Sequence, residues 1–161
     1  MARELWSRSA LELASNIASK EVSSVEVVQA HLDRIAEVNP TINAVVKVLA
    51  DSALAAAKVA DDETSRGISR GTFHGVPFTI KENIDVAGQP TTQGIPALAE
   101  AIPPQNAPIV DRMLGSGAIP IGRTNLPDLG LRIHTDSTLY GRTKNPWNLD
   151  RTAGGSSGGE G

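Results

Sequence analysis

The chain has 161 residues, of which 40% are hydrophobic and 20% charged, with a net charge of −3 and no cysteine. That length fits one domain able to bury a core. The absence of cysteine excludes disulfides, thiolate metal sites and a cysteine nucleophile, and the absence of a basic stripe excludes nucleic acid as the main ligand.

The first residues, Met1-Ala2-Arg3-Glu4-Leu5-Trp6, carry an acid and open no long apolar core, so a secretory leader is not expected there. No apolar run approaches the ~20 residues of a membrane span. The expected location is the cytoplasm, with no membrane partner. Leu13 and Ile17, four apart, predict a short amphipathic helix over residues 9–19. Ser23-x-x-Glu26 is a capping-box pattern and predicts a longer helix to about Val38, with Val25, Val28, Leu32 and Ile35 as its apolar stripe. Asn39-Pro40 should stop that helix, because the residue before a proline is pushed out of the α region. His31, beside the stripe, reads as a surface helix residue. Thr41–Val48 is β-branched and apolar and predicts a short extended segment. A third helix should follow over Asp51–Asp61, its Ala53, Ala56, Ala57 and Ala60 permitting close packing. Glu63–Arg70 reads as a surface loop.

From Thr72 the texture changes. Val76, Phe78 and Ile80 alternate as in a strand, and Pro77 limits that strand to an edge or a strand start. Lys81-Glu82-Asn83 interrupts the alternation before Ile84-Asp85-Val86 resumes it. Gly88–Gly94 is a turn-rich loop. Pro108–Gly117 predicts a helix with Ile109, Val110, Met113 and Leu114 inward, and Ala118–Gly122 a short strand. Helix alternating with strand predicts an α/β layered fold. Arg123–Arg151 reads mostly as loop, with one helical turn at Pro127–Leu131. A long irregular run of this kind is either functional or lacks a partner element.

Two places invite chemistry, and each has two readings. Lys81, directly after an apolar strand, can snorkel to the surface. Alternatively its amine is desolvated, and a neutral amine can accept a proton as a general base must. Gly154-Gly155-Ser156-Ser157-Gly158-Gly159 has the composition of a flexible linker. Alternatively its glycines let backbone pack close to a reacting carbonyl, with a serine held among them. A serine hydroxyl needs a neighbouring base, and lysine plays that part in Ser-Lys variants of the catalytic triad. His74 and His134 have no aspartate at a telling spacing. His134-Thr135-Asp136 reads as a turn or cap, and the scattered histidines offer no metal-binding set.

The motifs taken together resemble one family. They are His74-Gly75-Val76-Pro77-Phe78-Thr79-Ile80-Lys81-Glu82-Asn83-Ile84, Thr91-Thr92-x-Gly94, Gly122-Arg123-Thr124-Asn125-Leu126-Pro127, Gly141-x-Thr143-x-Asn145-Pro146-Trp147 and Gly154-Gly155-Ser156-Ser157-Gly158-Gly159-Glu160. In this order and at these spacings they resemble the amidase signature family over at least residues 72–161. The stretch from Ser23 to Ile35 resembles the same family's leading helices. The resemblance implies an α/β fold in which N-terminal helices lead into part of a mixed β-sheet with flanking helices, an incomplete amidase-signature fold. Residues 1–161 would be the N-terminal part of a single domain, with 1–66 the helical lead-in and 67–161 the start of the catalytic core.

The resemblance also implies chemistry. Members hydrolyse or transfer carboxylic amides through an acyl-enzyme with a Ser–cis-Ser–Lys triad. Lys81 matches the base, and Ser156 matches the bridging serine on a cis peptide bond. Ser157 would support the loop by hydrogen bonding. Gly130 and Leu131, with Arg132, match the segment lining the acyl pocket. Neither a metal nor an organic cofactor is implied. The family's nucleophilic serine and oxyanion donors lie beyond Gly161, so the expectation is base and relay without the attacking oxygen, and no turnover by this chain alone. Its partners would be a small-molecule amide and the missing C-terminal part or a partner chain, and the intact protein could form a homodimer. Two other readings stay open: a non-catalytic subunit or remnant that needs a partner chain, and an ammonia-delivering amidotransferase subunit of the tRNA-dependent type.

Overall fold

The computed structural model describes residues 4–161. The reading of Met1–Trp6 as lacking a secretory leader therefore rests partly on residues 1–3, which lie outside the described residues. The chain forms two compact units, one of residues 1–36, 49–78 and 111–121 and one of residues 37–48, 79–110 and 122–161. Among the described residues no helix is long and apolar enough to cross a membrane.

In the first unit, helix α1 (Ala10–Ala18) starts with a capping box, Ser9 accepting from the Glu12 N–H while the Glu12 carboxylate accepts from the Ser9 N–H. It buries Leu13 and Ile17, as their spacing predicts. Helix α2 (Ser24–Ile42) starts with a second box, the one its Ser23-x-x-Glu26 pattern predicts. The Glu26 N–H donates to Ser23 Oγ at 3.0 Å, and the Ser23 N–H donates to Glu26 Oε2 at 2.8 Å. Its first N–H groups, which have no partner within the helix, are met by a carboxylate from helix α3 (Ala50–Ser65). Asp61 accepts from Ser24 N at 2.6 Å and from Val25 N at 3.1 Å.

Helix α2 carries two apolar stripes, where the sequence suggested one. Val27 packs with Leu13, Ile17 and Val76. Val28 and Leu32 pack with Ala53, Ala57, Ala60, Ile119 and Ile121, and Val25 and Ile35 border that cluster only partly buried. Ala56 is exposed. The alanine face of α3 admits close helix packing, and α3 runs on past Asp61 to Ser65.

Helix α2 does not stop before Pro40 but contains it. A proline withdraws one N–H and its ring crowds the preceding turn, and here it stands in the last turn of the helix. The ending is made by Asn39 instead. Its Oδ1 accepts from Ala44 N and Val45 N, each at 2.8 Å, and its Nδ2 donates to the Val45 carbonyl. Asn43 then takes φ 53°, the left-handed conformation that closes helices.

A three-stranded sheet has the order β1-β3-β2, with β1 at Val45–Val48, β2 at Pro77–Lys81 and β3 at Ile119–Thr124. Pro77 opens an edge strand, where a missing N–H is tolerated. Strand β1 runs antiparallel to β3 with Val45 opposite Thr124 and Val48 opposite Gly122. Glycine is required at 122, because a Cβ there would stand 2.7 Å from Val45 Cγ1. Ile84–Val86 does not resume β2. The Ile84 N–H turns back to the Lys81 carbonyl, and the Ile84 carbonyl accepts from Arg123 Nη2 at 2.9 Å, so these groups are not free for a strand ladder.

Helix α4 (Pro108–Gly115) buries Val110 but leaves Ile109 56% exposed, so it covers less apolar surface than its sequence suggests. The run expected to be mostly loop after Arg123 is more ordered. It holds the last residues of β3, a turn at Asp128–Gly130, and two small hairpins. The hairpins pair β4 (Asp136–Ser137) with β5 (Gly141–Arg142), and β6 (Lys144–Asn145) with β7 (Asn148–Thr152). Three of these strands have two residues each, and the fourth, β7, runs Asn-Leu-Asp-Arg-Thr with one apolar residue, so no alternation is there to read.

Candidate active site

The second unit buries an unusual set of polar side chains: Glu82, Thr92, Arg123, Asn125, Thr135, Ser137 and Thr143 are all less than 9% exposed. Buried polar groups persist where they find partners. Asn125 uses its whole amide. Nδ2 donates to the Gly141 carbonyl and Thr143 Oγ1, each at 3.0 Å, and Oδ1 accepts from Leu126 N and Ser137 Oγ. This scaffold underlies the Gly/Ser stretch.

That stretch is a fixed loop. Thr135 Oγ1 donates to the Gly154 carbonyl at 2.8 Å and accepts from Gly158 N at 3.0 Å. Gly159 N donates to the Asn125 carbonyl. His134 and Gly154 form an isolated antiparallel bridge. A Cβ on Gly155 would stand 2.6 Å from the His134 nitrogen, so the close packing itself requires glycine. The Gly155–Ser156 peptide bond is cis.

Lys81, the last residue of β2, reaches this loop. Its Nζ donates to Ser156 Oγ at 2.8 Å and to Ser157 Oγ at 3.0 Å. Burial holds its pKa below the ordinary lysine value of 10.5, against an opposing pull from the Glu160 carboxylate. The snorkelling reading does not describe this side chain, which is half-buried and directed at two hydroxyls. What the arrangement can do is pass a proton between an amine of reduced basicity and a serine hydroxyl.

Gly130 stands beside this pair. Its φ is +70°, and a Cβ there would lie 3.9 Å from each of Ser156 Oγ, Asn83 Nδ2 and Leu126 Cδ1. Leu131 is 80% exposed and Ile133 89%. His74, in the first unit, is buried and contacts the Ala60 carbonyl and Thr64 Oγ1 through Nε2, a packing role. Among the described residues no cluster of three or more His, Cys, Asp or Glu could hold a metal.

Sequence reasoning quoted Glu82, Arg123 and Glu160 inside motifs but gave them no task. Glu82 and Arg123 form a buried pair, Nε to Oε2 at 3.0 Å, a charge contact without hydrogen-bond alignment. The other Glu82 oxygen lies 3.4 Å from both Thr92 N and Tyr140 Oη. Glu160 accepts from Thr79 Oγ1 at 2.7 Å and from Thr124 Oγ1. The only sequence signal for either arrangement was a charge next to residues of the site.

The sequence profile of the Amidase family matches residues 26–161. Indoleacetamide hydrolase of Bradyrhizobium diazoefficiens is 49% identical over 98% of this chain and 30% of its own length. A glutamyl-tRNA(Gln) amidotransferase subunit of Acidothermus cellulolyticus is 42% identical over 97% of this chain and 31% of its own. The crystal structure of a bacterial aryl acylamidase of the amidase signature family superposes with a TM-score of 0.89 at 37% identity, covering 94% of this chain and 32% of that one. The chain thus spans about a third of the length of the relatives it matches. A profile matched from α2 to Gly161, relatives at this identity and a shared fold have one meaning: the chain belongs to the amidase signature family.

Proposed function

We propose that the whole protein hydrolyses a small carboxylic amide through a serine acyl-enzyme, and that this stretch contributes the base Lys81 and the relay Ser156. The observation that carries the reading is the 2.8 Å contact between Lys81 Nζ and Ser156 Oγ, made by an amine whose basicity burial has lowered.

In the neutral form Lys81 accepts the Ser156 hydroxyl proton. Ser156 in turn accepts a proton from the attacking hydroxyl, which the resemblance assigns to sequence beyond residue 161. The attacking oxygen adds to the amide carbonyl, and the tetrahedral adduct collapses as the proton returns through Ser156 to the leaving amine. Water, deprotonated along the same path, then releases the acid. Ser157 holds the lysine on its second hydroxyl, and Gly130 and Leu131 border the acyl group. The 49% identity to indoleacetamide hydrolase supports a primary amide on an aromatic side arm. A cytoplasmic setting belongs to the same proposal, and the cysteine-free stretch fits a reducing compartment.

The test is turnover of indoleacetamide by the full-length protein. Lys81→Ala should abolish acylation, and Ser156→Ala should lower kcat by about 10²–10⁴-fold. Unchanged turnover in Lys81→Ala would remove the assigned base. A second reading, supported by the 42% identity to an amidotransferase subunit, has the same pair release ammonia from glutamine for a partner. Glutamine cleavage that rises on adding such a partner, with no indoleacetamide turnover, selects that reading.

A further inference from the structure

Among the described residues, Glu160 is the one charged residue whose side chain bonds to both strands flanking the serine loop. Its carboxylate accepts from Thr79 Oγ1 on β2 at 2.7 Å and from Thr124 Oγ1 at the end of β3. Thr79 and Lys81 are two apart on one strand, so their side chains leave the same face, about 7 Å apart along it. On the other side, the Glu160 N–H donates to the Ser157 carbonyl at 3.0 Å, closing a turn that contains the loop's last glycines. A carboxylate with both oxygens engaged by hydroxyls on different strands fixes its own backbone, and through that turn it fixes the serines.

We propose that Glu160 is a positioning residue: by straddling Thr79 and Thr124 it sets the register of the Ser156–Ser157 loop on the strand that carries Lys81. Thr135 staples the loop to itself between Gly154 and Gly158, but it does not tie the loop to β2. Among the described residues, the side-chain bonds that join β2 to the loop and the residue after it are the Thr79–Glu160 bond and the two from Lys81. Without Glu160 the lysine would be, among the described residues, the one side chain joining β2 to the loop, whose remaining ties, Gly159 to Asn125 and Gly154 to His134, do not reach β2. Among the described residues, the Ser156 and Ser157 hydroxyls bond to the Lys81 amine, and the negative charge of Glu160 favours its protonated form. Glu160 therefore has a second effect, which is to offset part of the loss of basicity caused by burial.

The inference rests on the proposed Lys81–Ser156 chemistry, and its test has one arm that does not. In the full-length protein with ¹³C-labelled lysine, the Lys81 side-chain signal is assigned by its absence in Lys81→Arg and titrated by NMR. Glu160→Gln keeps the straddle, since a carboxamide can accept from one threonine and donate to the other, but it loses the charge. The Lys81 pKa should fall in Glu160→Gln while kcat above that pKa is retained. Glu160→Ala loses both effects, and kcat should drop about 100-fold, the cost of a misplacement near 1 Å, with KM little changed. Thr79→Val keeps the charge and should lower kcat at every pH. A Lys81 titration and a kcat unaltered in Glu160→Ala would overturn the proposal, as would a kcat loss in Glu160→Ala matched in full by Glu160→Gln. If Glu160→Ala does not fold, the Gln and Val variants still decide. If wild type turns over no amide, the functional reading fails, and the titration alone judges Glu160.

Discussion

Glu82 and Arg123 are an ion pair inside the second unit, 3% and 0% exposed, and Glu82 is the residue next to Lys81. Arg123 Nη2 also donates to the Ile84 carbonyl, so the pair holds the turn that leads the chain away from the Lys81 amine. Burying two charges is costly, and removing one partner leaves the other uncompensated. Glu82→Gln should therefore destabilise the full-length protein by about 3 kcal/mol. Urea unfolding measures this directly. A loss within error of zero would mean that the arginine finds another partner.

Lys81 supplies the pH prediction. Burial lowers its folded pKa below 10.5, so folding disfavours the charged form. The penalty is fully present at low pH and is relieved as pH rises through the folded pKa toward 10.5. Relative to Lys81→Met, which cannot titrate, wild type should gain stability as pH rises from neutral through the folded pKa. The kcat/KM of wild type should rise over the same interval as the neutral amine accumulates. Thermal midpoints and rate profiles across that range check both signs. A midpoint difference that moves against wild type as pH rises contradicts the burial of the amine.

Thr135 tests the loop. Its hydroxyl donates to the Gly154 carbonyl and accepts from the Gly158 N–H, and the side chain is fully buried. Thr135→Val keeps the shape and leaves both backbone groups without that partner, a loss of about 1–3 kcal/mol for each group kept from water. Thr135→Ser should recover most of the stability. Amide-exchange protection at Gly158 reports the local effect, and it should vanish in the valine variant while protection in α1 persists.

How much of this was legible follows from the range of each interaction. The start of α2 was readable because a capping box is contained within four residues, and α1 because the Leu13–Ile17 face repeats locally, while the box at Ser9 and Glu12 went unread. The end of α2 was misread at Pro40, since what closes it is an asparagine side chain reaching forward to Ala44 and Val45. Ile84–Val86 looked like strand because its pattern is apolar, yet its carbonyl answers to Arg123, which is 39 positions away. Lys81 stood out as a charge directly after an apolar strand and Ser156 as a serine held among glycines, but no periodicity links them and only the family motifs paired them. The tasks of Glu160 and of the Glu82–Arg123 pair were hidden for the same reason. A carboxylate's partner on another strand leaves no mark on its neighbours in sequence.

The amine and hydroxyl that meet at 2.8 Å are separated by 75 positions along the polypeptide. During synthesis the ribosome must release every residue through the glycine loop before they can touch. The contact therefore waits on the glycine loop and not on the sequence around either residue.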